Sequence, residues 1–233
     1  MRPDPVRRVL DAELTAARAR RGGPPRLLDV GGGSGVLAVP LAAAGAEVTV
    51  VEPSPNALAT LHRRAADAGV AERITAVQGD SDALDHLVTP GFDLVIAHGV
   101  LEFVDDPKLT VAALSSAVAP GGAVSIVVAN RFAAVIQRAI TGKLTDARNL
   151  LENPAPVGEP HRFDTVSLRA LLDDAGLTVH QVLGLGTLAD LIPGSVLEST
   201  PGATDTLAAL EAVAAVTPPL RDIATRLHAV ARR

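Results

Sequence analysis

LLDVGGGSGVLAVPL, residues 27–41, is an apolar run that four glycines interrupt before the apolar residues resume. Glycine has no side chain, so glycines at this density let the backbone approach another group closely. That group is a phosphate, a dinucleotide, another ligand or only the next helix. The residues around the loop help to choose between these alternatives.

Alternating strands and helices surround the glycine loop. Short connections between such elements indicate βαβ units. The sequence therefore predicts an α/β protein with a Rossmann-like, doubly wound, mostly parallel sheet. Strands are predicted at 26–30, 47–52, 73–80, 92–99 and 123–130, and helices at 5–21, 34–45, 54–69 and 106–122, the last closed by a Pro-Gly-Gly turn.

The alternation stops after Asn130. The next stretch has the pattern of one or two helices and a proline-rich loop, which predicts a helical insertion after the fifth strand. We expect a single domain over residues 1–233. Its predicted parts are an N-terminal helix in 1–25, a ligand-binding core in 27–130, a substrate-side insertion in 131–163, and final helices and strands in 164–233.

The glycine pattern excludes two phosphate-binding loops. A P-loop needs Gly-Lys-Ser/Thr, which the stretch lacks, and the dinucleotide fingerprint needs a glycine where Val36 stands. What remains is Gly31-x-Gly33-x-Gly35, with Asp29 before it. This variant suits a ligand without a pyrophosphate, whose amino-acid chain and ribose pass close to the backbone. Tight packing of the glycines is the alternative.

Each of the next two strands is followed by an acidic residue. Glu52 closes the second strand in VVEPS, where a carboxylate can accept hydrogen bonds from both hydroxyls of a ribose. Asp80 follows the third strand in QGDSDAL, placed to accept from an adenine amino group. Capping of the next helix by Asp80 and Ser81 is the alternative. Carboxylates at one sheet edge also suit a cationic ligand.

From Leu27 to Asn130 the sequence resembles the class I S-adenosylmethionine-dependent methyltransferases. LLDVGGGSG resembles the family's motif around the methionine moiety, VVEPS its ribose-binding acid and QGDSDAL its adenine-binding segment. FDLVIAHGVLEFVDDP and LSSAVAPGGAVSIVVAN are similar to its fourth strand and loop and to its fifth strand. The resemblance implies S-adenosylmethionine as cofactor, bound by Asp29, Gly31, Gly32, Gly33, Gly35, Glu52, Pro53, Asp80, Ser81 and His98.

Within that class, GGGSG, HGVLEFVDDP and VVANRFAAVIQRAITGKL are most similar to the tRNA carboxymethoxyuridine methyltransferases, which esterify a carboxylate on a wobble uridine. Two features differ. That subfamily carries more chain before the first helix. It also places a basic residue near the stretch that corresponds to GLGTLADLIPGS, residues 184–195, which here contains no Arg or Lys. The acceptor is therefore left open.

Polar residues at the carboxyl edge of the predicted sheet are candidates for the chemistry. His98 follows the fourth strand and is predicted either as a general base or as a residue that lines the cofactor's methionine end. Glu102 can orient His98 or contact substrate. Asn130 and Arg131 end the fifth strand, and His161 and Arg162 occupy the predicted loop. Simple surface exposure is the alternative for His161 and Arg162. The candidate catalytic residues are His98, Asn130 and His161, and the candidate substrate residues are Glu102, Arg131 and Arg162.

Composition bears on the acceptor. The formal net charge is −5, with four Phe and no Trp or Tyr, which argues against a nucleic-acid binder that depends on charge and stacking. A small-molecule acceptor is the favoured prediction, a tRNA wobble uridine is the alternative, and a non-catalytic cofactor-binding module is the third. RNA would be favoured by a basic face, for which the candidates are Arg131, Arg138, Lys143, Arg148 and Arg162.

Cysteine is absent, and no cluster of His, Asp and Glu has metal-ligand spacing, so neither a disulfide nor a metal is expected. The sequence shows no signal-peptide pattern and no uncharged apolar run long enough to span a bilayer. It therefore predicts a cytoplasmic protein without a membrane partner. The oligomeric state stays open.

Overall fold

Seven strands occur in the computed structural model, which describes residues 5–153 and 158–233. The strands are β1 (Arg26–Val30), β2 (Glu47–Glu52), β3 (Ile74–Gln78), β4 (Phe92–His98), β5 (Val118–Ala129), β6 (Thr178–Leu185) and β7 (Arg226–Arg232). The α-helices are α1 (Pro5–Arg21), α2 (Ala38–Ala43), α3 (Pro55–Asp67), α4 (Leu84–Leu87), α5 (Pro107–Ala117), α6 (Arg131–Ile140), α7 (Leu144–Glu152), α8 (Thr165–Asp174), α9 (Gly194–Ser199) and α10 (Ala203–Ala214).

The strands form one sheet in the order β3-β2-β1-β4-β5-β7-β6. β1 pairs in parallel with β2 on one side and with β4 on the other, and β2 pairs in parallel with β3. The chain thus moves outward from β1 to β3 and then returns to the other side of β1. Doubly wound sheets bind their ligands at such a reversal, outside the carboxyl ends of the strands. The Rossmann-like, doubly wound fold predicted from the sequence is confirmed.

Apolar side chains explain why β1 and β4 lie at the centre of the sheet. Leu27 and Leu28 in β1, and Leu94, Val95 and Ile96 in β4, are fully buried. Parallel strands that are covered on both faces carry nearly continuous apolar runs of this kind. Burial of one such side chain stabilises the fold by about 1.5–3 kcal/mol. This core fixes the strand ends from which the glycine loop and the segment after β4 begin.

Side-chain caps determine where two helices near the carboxyl edge begin. The hydroxyl of Ser54 accepts a hydrogen bond from the backbone N–H of Ala57 at the start of α3, at 3.3 Å. Asp106 accepts from the backbone N–H groups of Lys108 and Leu109, at 2.8 and 3.3 Å, at the start of α5. A cap of this kind contributes about 1 kcal/mol. The caps therefore hold the chain where it leaves β2 and where the loop after β4 ends.

The predicted start of the first helix after the glycine loop is wrong, because α2 begins at Ala38 and not at Ser34. Gly31, Gly33 and Gly35 have φ angles of 65°, 55° and 78°. These left-handed conformations cannot continue a right-handed α-helix, so a series of turns precedes α2.

The predicted Pro-Gly-Gly turn at 120–122 is also wrong, because β5 begins at Val118 and includes these residues. The backbone N–H of Gly121 donates to the carbonyl of Arg233 at 3.0 Å, and the N–H of Arg233 donates to the carbonyl of Gly122 at 3.3 Å. A partner at the far end of the sequence satisfies the backbone of this segment. The local sequence pattern carries no signal of that pairing.

The chain divides into two compact units. Unit 1 comprises Met1–Ile126, Leu171–His180 and Val230–Arg233, and unit 2 comprises Val127–Ala170 and Gln181–Ala229. The single domain expected from the sequence, with its internal boundaries, stays a prediction.

Unit 2 contains the segment predicted as a helical insertion. Here α6 and α7 follow β5 directly, and no residue of α6 is buried. The large apolar side chains of Ile136 and Ile140 are 37% and 71% exposed.

Across the described ranges, no helix is both long enough and apolar enough to cross a membrane.

Candidate functional site

The glycine loop lies at the carboxyl end of β1 in unit 1, and a Cβ at three of its four glycines would clash with a neighbouring side chain. A Cβ on Gly35 would come within 2.2 Å of Leu61 Cδ1, and a Cβ on Gly32 would come within 2.6 Å of Asp29 Oδ2. A Cβ on Gly33 would meet only a backbone oxygen, at 4.0 Å. A Cβ on Gly31 would likewise come within 2.7 Å of Val100 Cγ2, so packing explains Gly31, Gly32 and Gly35 but leaves Gly33 beside open space.

Glu52 fixes the geometry of this loop from the end of β2. Its Oε2 accepts a hydrogen bond from the backbone N–H of Gly33, and its Oε1 accepts one from the backbone N–H of Ser54, each at 3.0 Å. The side chain is buried. Because each carboxylate oxygen has two acceptor positions, both oxygens can still accept from a ligand hydroxyl.

A cavity of about 380 Å³ opens beside Glu52. It is formed by the segments that follow β1, β2, β3 and β4, which is where the sheet topology places a ligand. Four of its lining residues carry carboxylates, and none carries a positive charge. The lining residues are Gly31, Val51, Glu52, Pro53, Gly79, Asp80, Ser81, Asp82, Gly99, Val100, Phe103, Val104 and Asp105.

Asp29 is a buried carboxyl next to this loop. It is 2% exposed, and its Oδ2 has no hydrogen-bond partner within the part of the chain that the structure describes. Burial, with a further contribution from the negative charge of Glu52, raises the pKa of Asp29 from 3.8 to about 7. A cationic ligand would compensate this charge. The orphaned oxygen and the acid-lined cavity both fit a positively charged cofactor.

Asp80 and Ser81 line the cavity from the end of β3. The hydroxyl of Ser81 donates to Asp80 Oδ1 at 3.1 Å. A short 3-10 helix, Ser81–Ala83, follows Asp80, and the Asp80 side chain accepts no hydrogen bond from its backbone N–H groups. The capping alternative is therefore wrong, and Asp80 is one of the residues that line the cavity.

His98 is the last residue of β4, and Glu102 lies in the segment that follows it. His98 is partly buried, and its Nε2 lies 2.9 Å from the hydroxyl of Ser125, which is fully buried in β5. Glu102 is 8% exposed. Gly99, which follows His98 directly, lines the cavity. Ser125 thus orients the imidazole, but His98 is not among the residues that line the cavity.

The sequence did not single out the side chains that line the cavity between Val100 and Asp105. Phe103 is 76% exposed although it is the largest apolar residue of the lining. An exposed aromatic ring beside a cavity indicates a contact surface for a ligand. The stretch HGVLEFVDDP includes these residues, but only the folded chain shows which of them point outward.

The side chain of Asn130 forms hydrogen bonds with backbone groups within unit 2. Its Oδ1 accepts from the backbone N–H of Phe132 at 3.0 Å and caps α6. Its Nδ2 donates to the carbonyls of Asp222 and Ala224, at 2.9 and 2.7 Å. Both amide hydrogens are therefore used, and the residue is 1% exposed.

Arg131 is likewise held inside unit 2. Its Nη2 lies 2.7 Å from Asp164 Oδ2, with both side chains largely buried, and its guanidinium stacks on the ring of Phe132 at 4.6 Å. Burial alone would raise the pKa of Asp164, but hydrogen bonds from Ser167 and Arg131, together with the positive charge of Arg131, lower it below its usual value.

His161 and Arg162 are half-buried in unit 2. The alternative predicted for them, simple exposure on a surface loop, therefore describes them only in part. The next residue, Phe163, donates its backbone N–H to Ala129 at 3.1 Å and accepts from the N–H of Arg131 at 2.8 Å. The loop is thus pinned beside the start of α6. The catalytic role predicted for His161 and the substrate role predicted for Arg162 stay predictions. Among the described side chains, no three His, Asp or Glu residues group as metal ligands.

Known proteins resemble this chain over most of its length. A family model described as a methyltransferase domain matches residues 5–182. A ubiquinone biosynthesis O-methyltransferase of Xanthomonas axonopodis pv. citri is 33% identical over 178 residues, which cover 74% of this chain and 70% of that protein. A tRNA 5-carboxymethoxyuridine methyltransferase of Escherichia coli K12 is 31% identical over 118 residues, covering 50% of this chain and 45% of that enzyme.

A solved structure extends the likeness to the fold. The magnesium protoporphyrin IX methyltransferase of Synechocystis PCC 6803, with bound SAH, is 15% identical. Its alignment covers 98% of this chain and 83% of that one, with a TM-score of 0.59.

Proposed function

Because the chain belongs to the S-adenosylmethionine-dependent methyltransferases, we propose that it transfers the methyl group of its cofactor to an oxygen or a nitrogen of a small molecule. Its cofactor is S-adenosylmethionine. The class of acceptor is inferred from the ion pairs that the basic residues of unit 2 form with acidic side chains.

The acid-lined cavity of unit 1 is the proposed cofactor site. Glu52 would accept from the ribose hydroxyls and Asp80 from the adenine amino group. The backbone around Gly31 and Gly33 would contact the methionine part, beside the negative charge of Asp29. The bound cofactor supplies an electrophilic methyl carbon on a sulfonium. The residues then contribute alignment of the acceptor and exclusion of water.

His98 is the proposed general base where the acceptor is a hydroxyl. Its contact with Ser125 would orient the imidazole for a role in proton transfer from the acceptor. An ionised carboxylate would need no base, because its oxygen already carries a lone pair and a negative charge. In this proposal, Asn130 and Arg131 position α6 and the loop beside it, and they do not react.

The observation that carries the acceptor assignment is the pairing of the unit 2 arginines. Three of the five basic residues that would form an RNA-binding face have acidic partners. Protein–RNA affinity depends largely on cations that contact phosphates, so paired arginines weaken the case for tRNA. The pairs are Arg131–Asp164 at 2.7 Å, Arg138–Glu159, and Arg148–Glu152 at 3.6 Å.

The apolar side of α6 supports the same assignment. This helix follows β5 directly and exposes Ile136 and Ile140. Exposed apolar side chains suit an acceptor that is uncharged over much of its surface. The Xanthomonas relative, by its name, methylates an oxygen in ubiquinone biosynthesis, which agrees with an acceptor of that kind.

The test is methyl transfer from methyl-labelled S-adenosylmethionine to two acceptor pools, a small-molecule extract and unmodified tRNA. We expect label in the small-molecule fraction and no tRNA binding at physiological salt. Labelled tRNA, with tRNA affinity that falls as salt rises, would overturn the assignment in favour of the tRNA activity of the Escherichia coli relative. Cofactor binding without label in either pool would indicate a non-catalytic module.

A further inference from the structure

Asp29 is a buried carboxyl group with an unpartnered oxygen at the glycine loop. It is 2% exposed, and its Oδ2 accepts no hydrogen bond from the residues that the structure describes. A Cβ on Gly32 would come within 2.6 Å of this oxygen, so the carboxyl group lies directly behind the loop. The charged residues in the lining of the neighbouring cavity are all acidic. A positive charge in that cavity would therefore have to come from a ligand.

Strand register shows which titratable groups lie on the same side of the sheet as Asp29. Asp29 is level with Val50 of β2 and with Ile96 of β4. Because side chains alternate between the two faces along a strand, Glu52 and His98, each two residues further on, share its side. The loop and helix that follow β1, residues 30–46, contain no charged residue.

Asp29 is close to the balance between its neutral and its ionised form at neutral pH. Burial, with a further contribution from the negative charge of Glu52, raises its pKa to about 7. A positive charge nearby favours the ionised form of a buried carboxyl group, and its removal favours the neutral form. The charge of the bound ligand therefore sets the protonation of Asp29.

Methyl transfer changes that ligand charge. Near neutral pH, S-adenosylmethionine carries one net positive charge, and S-adenosylhomocysteine carries none, because the electron pair of the broken carbon–sulfur bond stays on sulfur. The two molecules are otherwise alike in shape and in their hydrogen-bonding groups. A site that recognised only those features would bind both in the same way.

We propose that Asp29 selects the cationic cofactor over its neutral product by charge, and that binding of the cofactor releases the proton of Asp29. The inference rests on the proposed cofactor site and adds a discrimination that contacts with ribose and adenine do not supply. A unit charge within about 10 Å, at an effective dielectric constant of about 20, changes affinity by about tenfold. Loss of the charge in the reaction would therefore favour release of the product.

Calorimetric titration with three ligands tests the selection. Sinefungin is the third ligand, since a carbon that bears an ammonium group replaces its sulfonium and keeps the positive charge. At pH 7 we expect Asp29→Asn to weaken binding of S-adenosylmethionine and sinefungin by about five- to tenfold, and of S-adenosylhomocysteine by less than about twofold. Asp93→Asn is the matched control, because Asp93 is a buried carboxyl near the start of β4 and does not line the cavity. It should leave all three affinities unchanged.

Proton release supplies a second measurement, which needs no variant. Titration in two buffers of different ionisation enthalpy counts the protons that leave on binding. At pH 6.5 we expect about half a proton to leave with S-adenosylmethionine or sinefungin, and none with S-adenosylhomocysteine. Asp29→Asn should remove this release, whereas release from His98 would persist in that variant.

Three results would overturn the inference while the proposed function stands. They are equal losses of affinity for cofactor and product in Asp29→Asn, binding of both cationic ligands to the wild type without proton release, and proton release that persists in Asp29→Asn. A folded wild-type chain that binds none of the three ligands would contradict the proposed function itself, and the inference with it.

Discussion

In the proposed site Glu52 would connect the cofactor to the fold, because its two oxygens accept hydrogen bonds from the backbone N–H groups of Gly33 and Ser54. A ribose would add hydrogen bonds to the same carboxylate. Glu52→Ala should weaken cofactor binding by about 1–3 kcal/mol, since charge-assisted hydrogen bonds are lost. Calorimetric titration with S-adenosylmethionine measures the change. Glu47→Ala, at the exposed start of the same strand, should bind normally. Equal affinities in the two folded variants would contradict the role of Glu52.

A substitution of Gly33 tests ligand binding apart from packing, because a Cβ at this position would contact no side chain of the protein. Gly33→Val should abolish cofactor binding, because the added side chain enters open space beside the loop. A positive φ also strains any such substitution by about 1–2 kcal/mol. Gly69→Val is the matched control, since Gly69 has a φ of 66° and no neighbour within 4 Å of its Cβ position. The control should lose similar stability but keep cofactor affinity. Normal binding by Gly33→Val would show that this glycine serves the backbone alone.

Asp29 makes stability depend on pH in a direction that is unusual for a carboxyl group. Its pKa is raised from 3.8 to about 7, so between these values the folded state holds a proton that the unfolded state has released. The contribution of Asp29 to stability therefore falls as pH rises from about 4 to 7, and the loss persists above pH 7. Asp29→Asn removes this dependence. The free energy of unfolding of the variant should gain on wild type across that window, measured by urea titration at several pH values.

The same substitution should weaken the binding of the cationic cofactor. A buried carboxylate that opposes folding is retained where its charge serves a ligand. Calorimetry at pH 8 with Asp29→Asn measures this effect. A variant that is more stable at pH 8 and binds the cofactor as wild type does would remove Asp29 from the site.

At the scale of elements, the pair Arg131–Asp164 links the starts of α6 and α8. Asp164→Asn keeps an oxygen that can cap α8 but removes the charge that Arg131 faces. We expect a loss of about 1–3 kcal/mol at neutral pH, because the pair is largely buried. Asp174→Asn is the control, since its exposed pair with Lys108 should contribute at most about 1 kcal/mol.

The pKa of Asp164 gives this prediction a pH signature. Because the pKa is lowered in the folded state, the contribution of Asp164 is complete above its unfolded pKa and disappears as pH falls through the folded value. The stability difference between wild type and Asp164→Asn should therefore shrink in acid. A difference that stays constant down to acidic pH would show that the ion pair contributes nothing.

Local sequence patterns predicted most strands of unit 1, whereas the start of β5 depends on a contact with a residue far away in the sequence. Apolar runs bounded by glycine and proline predicted β1, β2 and β4, because the residues that pack in the core are consecutive in these strands and so form a pattern visible in the sequence. The start of β5 was not predictable, since its partner is the backbone of Arg233. The hydrogen bonds of the Asn130 amide were not predictable either, because its partners, the carbonyls of Asp222 and Ala224, cannot be recognised in the sequence.

The cavity was easier to predict than the region that binds the acceptor. Glu52 ends β2 and Asp80 follows β3, and the topology brings these strand ends to one cavity. Phe103 and Asp105 were missed, because a loop residue shows its orientation only in the folded chain. The pairing of Arg138 with Glu159 was missed for the same reason, and it bears most on the choice of acceptor.

At the scale of the whole molecule, acidic residues line the cavity of unit 1 and paired arginines occupy unit 2. The first arrangement attracts a cation, and the second partly neutralises the positive charge that Arg131, Arg138 and Arg148 could offer to a phosphate backbone. Both agree with an enzyme that uses S-adenosylmethionine on a small molecule. The central claim is that the acid-lined cavity holds the cofactor.

A crystal structure of the chain with S-adenosylhomocysteine tests that claim most directly. We expect the ribose hydroxyls within hydrogen-bond distance of Glu52, the adenine amino group at Asp80, and the amino-acid part against the backbone of Gly31 and Gly33. A complex in which the ligand occupies another surface, or leaves the carboxylate of Glu52 without a contact, would contradict the account.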